Sequence, residues 1–312
     1  MIQHLRHTEI DKTRWDAGIA RSVNRRVYAF SWYLDIVSPG WEALVEEDYS
    51  QLFPLTRRKK WSVEYLAQPW FTQQLGLFSV TVPEQETVGR FLSAIPAQYR
   101  FAEIQLNESN RVPAGIGSIR MRKNFELDLS SAAGDLRLGY SQNSRRNLKK
   151  AMDKGLEIIP LSDERGLVHL FRSTFGKKEG KLQSHDYSML KALLASLRER
   201  GIGTAIGAGN PGTTPSAAAF FLHDGNRLYF LFAASAPEAR DNGAMFFLVD
   251  HVIGQQAGSG RILDFEGGND SGVARFYAGF GARETTYPAL RINRLTGVTG
   301  AGHFLLGRLR RR

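Results

Sequence analysis

The 312-residue sequence contains no cysteine. Thiol nucleophiles, disulfides and cysteine-ligated zinc are thereby excluded, and the composition fits a reducing compartment. Long apolar runs are also missing. Nowhere do about 18 apolar residues follow one another, and the charged stretch Met1 to Trp15 lacks the apolar core of a secretory signal. These absences predict a soluble, cytoplasmic protein with no transmembrane segment. The histidines stand at 4, 7, 169, 185, 223, 251 and 303 with no pair at metal-ligand spacing on one helical face, so no metal is expected. There is no Gly-x-Ser-x-Gly elbow and no Gly-Lys-Ser/Thr phosphate loop. Gly267-Gly268-Asn269-Asp270-Ser271-Gly272 is glycine-rich without being a dinucleotide fingerprint.

What is present is a globular composition, 42% hydrophobic and 23% charged, in a chain long enough for two domains. The net charge of +10 is unevenly spread, with sixteen cations against fifteen carboxylates up to residue 128 and twenty-five against sixteen from 129 onward. A positive field of that kind attracts phosphorylated ligands, RNA or an anionic membrane face.

In the first part, Trp41 to Val45, Gln51 to Thr56, Trp61 to Leu66 and Phe101 to Leu106 read as strands, and Pro83 to Ile95 as a helix. Arg57-Arg58-Lys59-Lys60 reads as a solvated hairpin tip, and the aromatic loop Pro69 to Gly76 as either a pocket lining or packing beneath a domain interface. Ser130-Ser131-Ala132-Ala133-Gly134 is the best linker candidate. A basic helix follows, Tyr140 to Ala151, stopped by Gly155, then a strand to Pro160, a helix Leu167 to Phe175, a cationic loop Gly176 to Lys181 and an amphipathic helix Tyr187 to Arg198.

The stretch Ser216 to Leu295 carries most of the information. Asp224-Gly225 between two apolar runs predicts a tight hairpin whose central residues both tolerate positive φ. Beyond Gly243, Met245, Phe246, Val249, Val252 and Ile253 recur at helical spacing, and the first turn of that helix offers unpartnered N–H groups and a positive dipole end to an anionic group. Asp264 and Glu266 alternate with Leu263 and Phe265, which puts both carboxylates on one strand face, facing a cleft as bases or paired with Arg261 or Arg275.

The order of these features resembles the acetyltransferase fold of the GNAT superfamily. In that family an Arg/Gln-x-x-Gly-x-Gly/Ala turn wraps the pyrophosphate of acyl-coenzyme A, and Arg240-Asp241-Asn242-Gly243-Ala244-Met245 matches it except at Met245. Asn269 and Ala274-Arg275-Phe276-Tyr277-Ala278-Gly279-Phe280-Gly281 resemble the family's Asn…Ala-x-x-Phe-Tyr segment. The resemblance implies that Arg240, Asn242, Gly243, Ala244 and Asn269 serve the acyl-donor site, that an amide near Ala234 or Ser235 polarises the thioester carbonyl, and that Tyr277 is the general acid. The amine's proton would pass to Glu266 or Asp264. Upstream, Tyr140 with Arg145-Arg146-Asn147-Leu148-Lys149-Lys150-Ala151 resembles the Fem-type peptidyltransferases over about residues 135 to 295. That places Arg145, Arg146 and Lys149, with Lys150, beside a groove for a phosphorylated or carboxylated substrate, with a solvated helix face as the alternative.

The resemblance predicts a mixed α/β chain of two tandem GNAT-like halves, a degenerate one over 1–130, an acyltransferase domain over 131–295 and a basic tail over 296–312. The function it implies is transfer of an acyl group, acetyl first among them, from acyl-coenzyme A to a small-molecule or peptide amine. The alternatives are Fem-like aminoacyl transfer from tRNA to a cell-wall precursor or protein terminus, and a non-catalytic binding module. Peripheral contact with an anionic membrane surface is a further expectation from the charge.

Overall fold

The computed structural model describes residues 1–294 except 47, 61, 62, 162, 164, 180 and 181, and it divides into two compact units, 1–122 with 286–294 and 123–285. The predicted tail 296–312 lies outside the described residues. The chain crosses from the first unit into the second within one long strand and returns within another.

The first unit runs β1 (Ile2–Leu5), α1 (Lys12–Arg21), α2 (Ser31–Val37), β2 (Glu42–Glu46), β3 (Gln51–Leu55), β4 (Arg57–Lys60), β5 (Val63–Ala67), β6 (Phe78–Ser79), α3 (Gln85–Ser93), β7 (Phe101–Gln105) and the start of β8 (Ser118–Asp128). Four strands pair in the order β1-β2-β3-β6, and β4 pairs with β5, which lies parallel to β7. The cationic run Arg57 to Lys60 is thus a paired strand and not a hairpin tip, with exposed and half-buried residues alternating along it. The core is packed by Phe53, Phe91, Leu92, Tyr99 and Ile104. Pro69 to Thr72, with Tyr65 and Phe101, line a pocket of about 550 Å³ in this unit.

Glu42 is 4% exposed and accepts hydrogen bonds from Tyr99 (2.6 Å), His4 (2.6 Å) and Arg57 (3.0 Å). Burial pushes its carboxyl up, but the hydrogen bonds from Tyr99, His4 and Arg57 together hold it below the ordinary carboxylate range. A carboxyl lowered in the folded state stabilises above its unfolded pKa, and the benefit disappears as pH falls through the folded value. Wild type should therefore be more stable than Glu42→Gln at pH 7, and the gap should narrow below about pH 4. Urea melts of both proteins at pH 7, 5 and 3 measure it; a gap that does not change with pH would show that Glu42 stabilises nothing through its charge.

The second unit continues with α4 (Ala133–Leu138), α5 (Gln142–Asp153), β9 (Glu157–Pro160), α6 (Arg165–Glu179), α7 (Ser184–Glu199), β10 (Gly203–Gly209), β11 (Ala217–Asp224), β12 (Arg227–Ser235), α8 (Ala239–Asn242), α9 (Ala244–Gln256), β13 (Ile262–Asp264), α10 (Ser271–Ala278) and the start of β14 (Arg283–Asn293). Its strands are neighbours in the order β8-β13-β12-β11-β10-β9. The mixed α/β class predicted from the sequence is the observed one. Helix α6 extends to Glu179, through most of the predicted cationic loop, because nothing between Gly176 and Glu179 is a strong helix breaker.

Hairpin β11–β12 forms where expected, but its central residues are Gly225 and Asn226, since Asp224 pairs with Arg227. Only Gly225 has positive φ (60°), as in a turn needing a left-handed residue at its first central position alone. The core gathers Phe125, Phe221, Phe230, Phe265 and Phe280 against α9, while α4 and the turn that follows it are tied to α9 through Asp250. That carboxylate is buried and accepts both Arg137 nitrogens (2.8 Å each) and the Tyr140 hydroxyl (3.0 Å).

Candidate active site

The site is set by how β12 leaves its neighbour. Parallel pairing of β12 with β13 is confined to Arg227↔Ile262, Leu228↔Leu263 and Tyr229↔Asp264, while β12 stays paired to β11 as far as Ser235↔Ala217. Among the described residues, no strand pairs with the β13 side of β12 from Phe230 to Ser235. Two local features cause this. Phe220 pairs with Phe232 but Phe221 with Phe230, so Leu231 is an extra residue on β12, and such a bulge bends the strand and shifts the phase of its side chains. On the other side Glu266, Gly267 and Gly268 take φ of 62°, 148° and 136° in succession, which turns the chain away directly after β13. Gly268 is required twice over, because a Cβ there would also meet the Phe125 ring at 2.5 Å.

The phase shift at Leu231 separates the aromatic rings. Phe230 packs toward α10, against Phe265 and Tyr277, whereas Phe232 packs at a tilt against Phe171 of α6, 4.4 Å between ring centroids. Tyr277 thus stands where the two strands part. Its ring is stacked on Phe265 at 4.6 Å and is edge-on to Phe230 at 6.1 Å, and its hydroxyl makes no hydrogen bond to any described residue. Burial, then the charges of Glu266 and Asp264, push the phenol well above its ordinary value. Tyr277, Glu266 and Asp264 are therefore brought within electrostatic reach of one another.

The two carboxylates do not share a strand face, however. Strand β13 ends at Asp264, so the alternation that would align Glu266 with it stops one residue early. Asp264 is fully buried; it accepts from Asn124 (2.9 Å) and from the Glu266 N–H (3.0 Å), and it pairs with Arg227 at 3.2 Å. Its cationic partner is Arg227, not the Arg261 or Arg275 considered from the sequence; Arg261 donates instead to Gln256. Arg227 also pairs with Glu126 at 2.6 Å. Asn124 completes the arrangement by accepting the Gly267 N–H at 2.9 Å, which fixes the turn after β13. Neither Asn124 nor Arg227 was singled out in the sequence: Asn124 shares the polar phase of its strand with Glu126 and Asp128, opposite Phe125, Leu127 and Leu129, so the pattern gave no sign that it is buried.

At the other end, Arg240, Asn242 and Gly243 form a short turn of helix before α9. Arg240 is exposed. Asn242 bridges, donating to Ser216 Oγ (2.9 Å) and accepting the Ala244 N–H (2.9 Å), which leaves the first-turn N–H groups of Met245 and Phe246 without partners in the helix. Gly243 has φ 76°, and a Cβ on it would lie 2.3 Å from the backbone oxygen of Asn147 in α5. Its glycine is thus already demanded by helix packing. Gly243→Ala should cost at least roughly 1–3 kcal/mol, read as a lowered melting temperature; an unchanged melt would show that α5 is not seated on this turn. Asn269 is exposed and exchanges hydrogen bonds with the Lys123 backbone at 3.2 and 3.4 Å.

The cations of α5 divide between two flanks. Arg145, Leu148, Lys149 and Met152 recur at i, i+3, i+4 and i+7 and line one groove with α4, whereas Arg146 and Lys150 lie toward Asn143 and Asn147, the flank that meets Gly243. Arg145 and Arg146 thus sit on different flanks of α5. Among the described residues no group of three or more metal-ligating side chains occurs, and no helix is long and apolar enough to cross a membrane.

Residues 140–276 match the family model for the acetyltransferase (GNAT) domain. Among solved structures the chain is similar to the crystal structure of FemX (13% identity, TM-score 0.65, covering 99% of this chain and 100% of that one). It is also similar to L-PGS from Bacillus licheniformis (11%, 0.56, 97% and 98%) and to a tandem GNAT protein from the clavulanic acid biosynthesis pathway (11%, 0.52, 93% and 98%). No curated protein matches the chain. These findings give a GNAT acetyltransferase-type match over residues 140–276, in a chain that shares its fold with FemX and with the tandem GNAT protein.

Proposed function

We propose that the second unit catalyses N-acyl transfer by direct attack of an amine on an activated acyl group held between β12 and β13. The observation that carries this reading is the β13 side of β12 from Phe230 to Ser235, which no described strand pairs with, and Tyr277 at its vertex. Backbone N–H groups on that edge, near Ala234 and Ser235, are available to a developing oxyanion. Tyr277 holds its proton at neutral pH and gives it to the leaving group. Glu266, half-buried where Asp264 is fully buried, takes the amine's proton directly or through water, and Asp264 with Arg227 and Asn124 fixes the turn that carries it.

Acyl-coenzyme A, acetyl-coenzyme A first, is the donor to test, with Arg240 and the N–H groups at the start of α9 as its phosphate contacts and Asn269 near its arm. Calorimetric titration should give saturable heat with acetyl-coenzyme A, and absence of both heat and thermal shift would remove this donor.

A second reading, aminoacyl transfer from tRNA, is favoured by a specific observation at the same turn. The space beside Gly243 is filled by the Asn147 carbonyl and the sixth position is the bulky Met245, so the turn fits a wrapped pyrophosphate poorly. Arg146 and Lys150 on that flank then contact the polyanion or a phosphorylated acceptor. Filter binding of charged tRNA should weaken by orders of magnitude between roughly 50 and 200 mM salt. No retention even at the lower salt would eliminate it.

A further inference from the structure

The groove between α4 and α5 is not used by this chemistry. It measures about 360 Å³ and is walled by Leu138, Tyr140, Leu148 and Met152, with Arg145 and Lys149 on its rim. Two of these apolar side chains stand out from the surface, Leu138 at 75% and Met152 at 60% exposure. Both helices are held firmly beneath them. Asp250 grips α4 through Arg137 and the turn after it through Tyr140, Ser144 and Ala151 of α5 are buried, and Arg145 donates to the Leu138 carbonyl at 2.6 Å, joining the helices at the groove. Leu138 and Met152 are therefore presented on a rigid platform, where exposed apolar residues contribute nothing to the fold.

We infer that this face docks the protein on an anionic phospholipid bilayer, Leu138 and Met152 entering the acyl boundary while Arg145 and Lys149 meet headgroup phosphates. The pattern is that of an interfacial helix, apolar side chains flanked by cations with a rigid polar remainder above. Charge complementarity selects the partner. From Gln142 to Lys154 there are five cations and one carboxylate, Asp153. A nucleic acid would use the same charges but would leave Leu138 and Met152 without a role.

The test is co-sedimentation of the full chain with vesicles of phosphatidylcholine alone and with about a third phosphatidylglycerol, at low and moderate salt. Binding should require the anionic lipid and weaken with salt. Three double variants divide the contributions. Leu138→Gln/Met152→Gln keeps the charge and should weaken binding roughly tenfold or more, the expected loss of buried apolar groups. Arg145→Gln/Lys149→Gln should weaken it about thirty-fold. Arg146→Gln/Lys150→Gln, an equal charge change on the other flank of the same helix, should stay within about threefold of wild type. All six positions are solvent-accessible, and a thermal melt checks each fold. The inference is overturned if anionic vesicles are not bound, if the apolar pair changes nothing, or if both charge pairs lose binding equally. Equal loss would mark general attraction of a basic protein to any polyanion.

Discussion

Replacing Arg227 by Leu should cost about 3–5 kcal/mol and lower the melting temperature of the second unit by on the order of 10 °C. Arg227 is held between Glu126 at 2.6 Å and Asp264 at 3.2 Å, and the Asp264 side chain is 1% exposed. Removing the guanidinium leaves a carboxylate that has lost solvent without keeping its cation, and the Asn124 amide and Glu266 N–H offset only part of that loss. The charge and not the shape is decisive, so Arg227→Leu/Asp264→Asn should recover much of what the single change removes. Thermal melts by circular dichroism test both. A single variant melting within about 2 °C of wild type, or a double variant no better than the single, would show that the pair contributes little.

The same network explains which parts of the site were legible in the sequence. Elements with a periodic apolar face were readable: α9 after Gly243 occurs where spacing puts it, and the β11–β12 hairpin does so with its turn one residue on. The opening between β12 and β13 could be expected only from the GNAT resemblance and not from the residues themselves, because it depends on one unpaired residue, Leu231, inside a continuous apolar run that reads identically with or without a bulge. The partner of Asp264 was missed for a related reason. Arg227 lies 37 positions away and reaches the carboxylate only through parallel pairing of β12 with β13, a contact that charge spacing along the chain does not encode. Gly243 shows the opposite limit. Its position in the turn was legible but its cause was not, since the Asn147 carbonyl that forbids a side chain comes from the helix nearly a hundred residues earlier.

Tyr277→Phe should lower turnover roughly a hundred- to ten-thousand-fold, the usual cost of a lost proton donor, while leaving the melting temperature where it is. Both halves of that expectation come from geometry. The ring is retained, so its stacking on Phe265 and its edge contact with Phe230 persist, and the hydroxyl has no hydrogen bond to a described residue that the change would break. The oxygen's surroundings instead bear on proton transfer. Burial and the charges of Glu266 and Asp264 disfavour the phenolate, so the proton stays on oxygen through neutral and mildly alkaline pH. Wild-type turnover should accordingly rise or hold up to about pH 9 as the amine deprotonates, without an alkaline fall caused by Tyr277. Glu266→Gln, measured beside it, should lose rate most at the acid end, where a proton acceptor matters for an amine still protonated. The decisive comparison is kcat against pH for wild type and Tyr277→Phe with whichever donor binds. A variant that keeps full turnover would remove Tyr277 from the chemistry. One that loses turnover only in proportion to a falling melting temperature would make the tyrosine part of the aromatic core and nothing more.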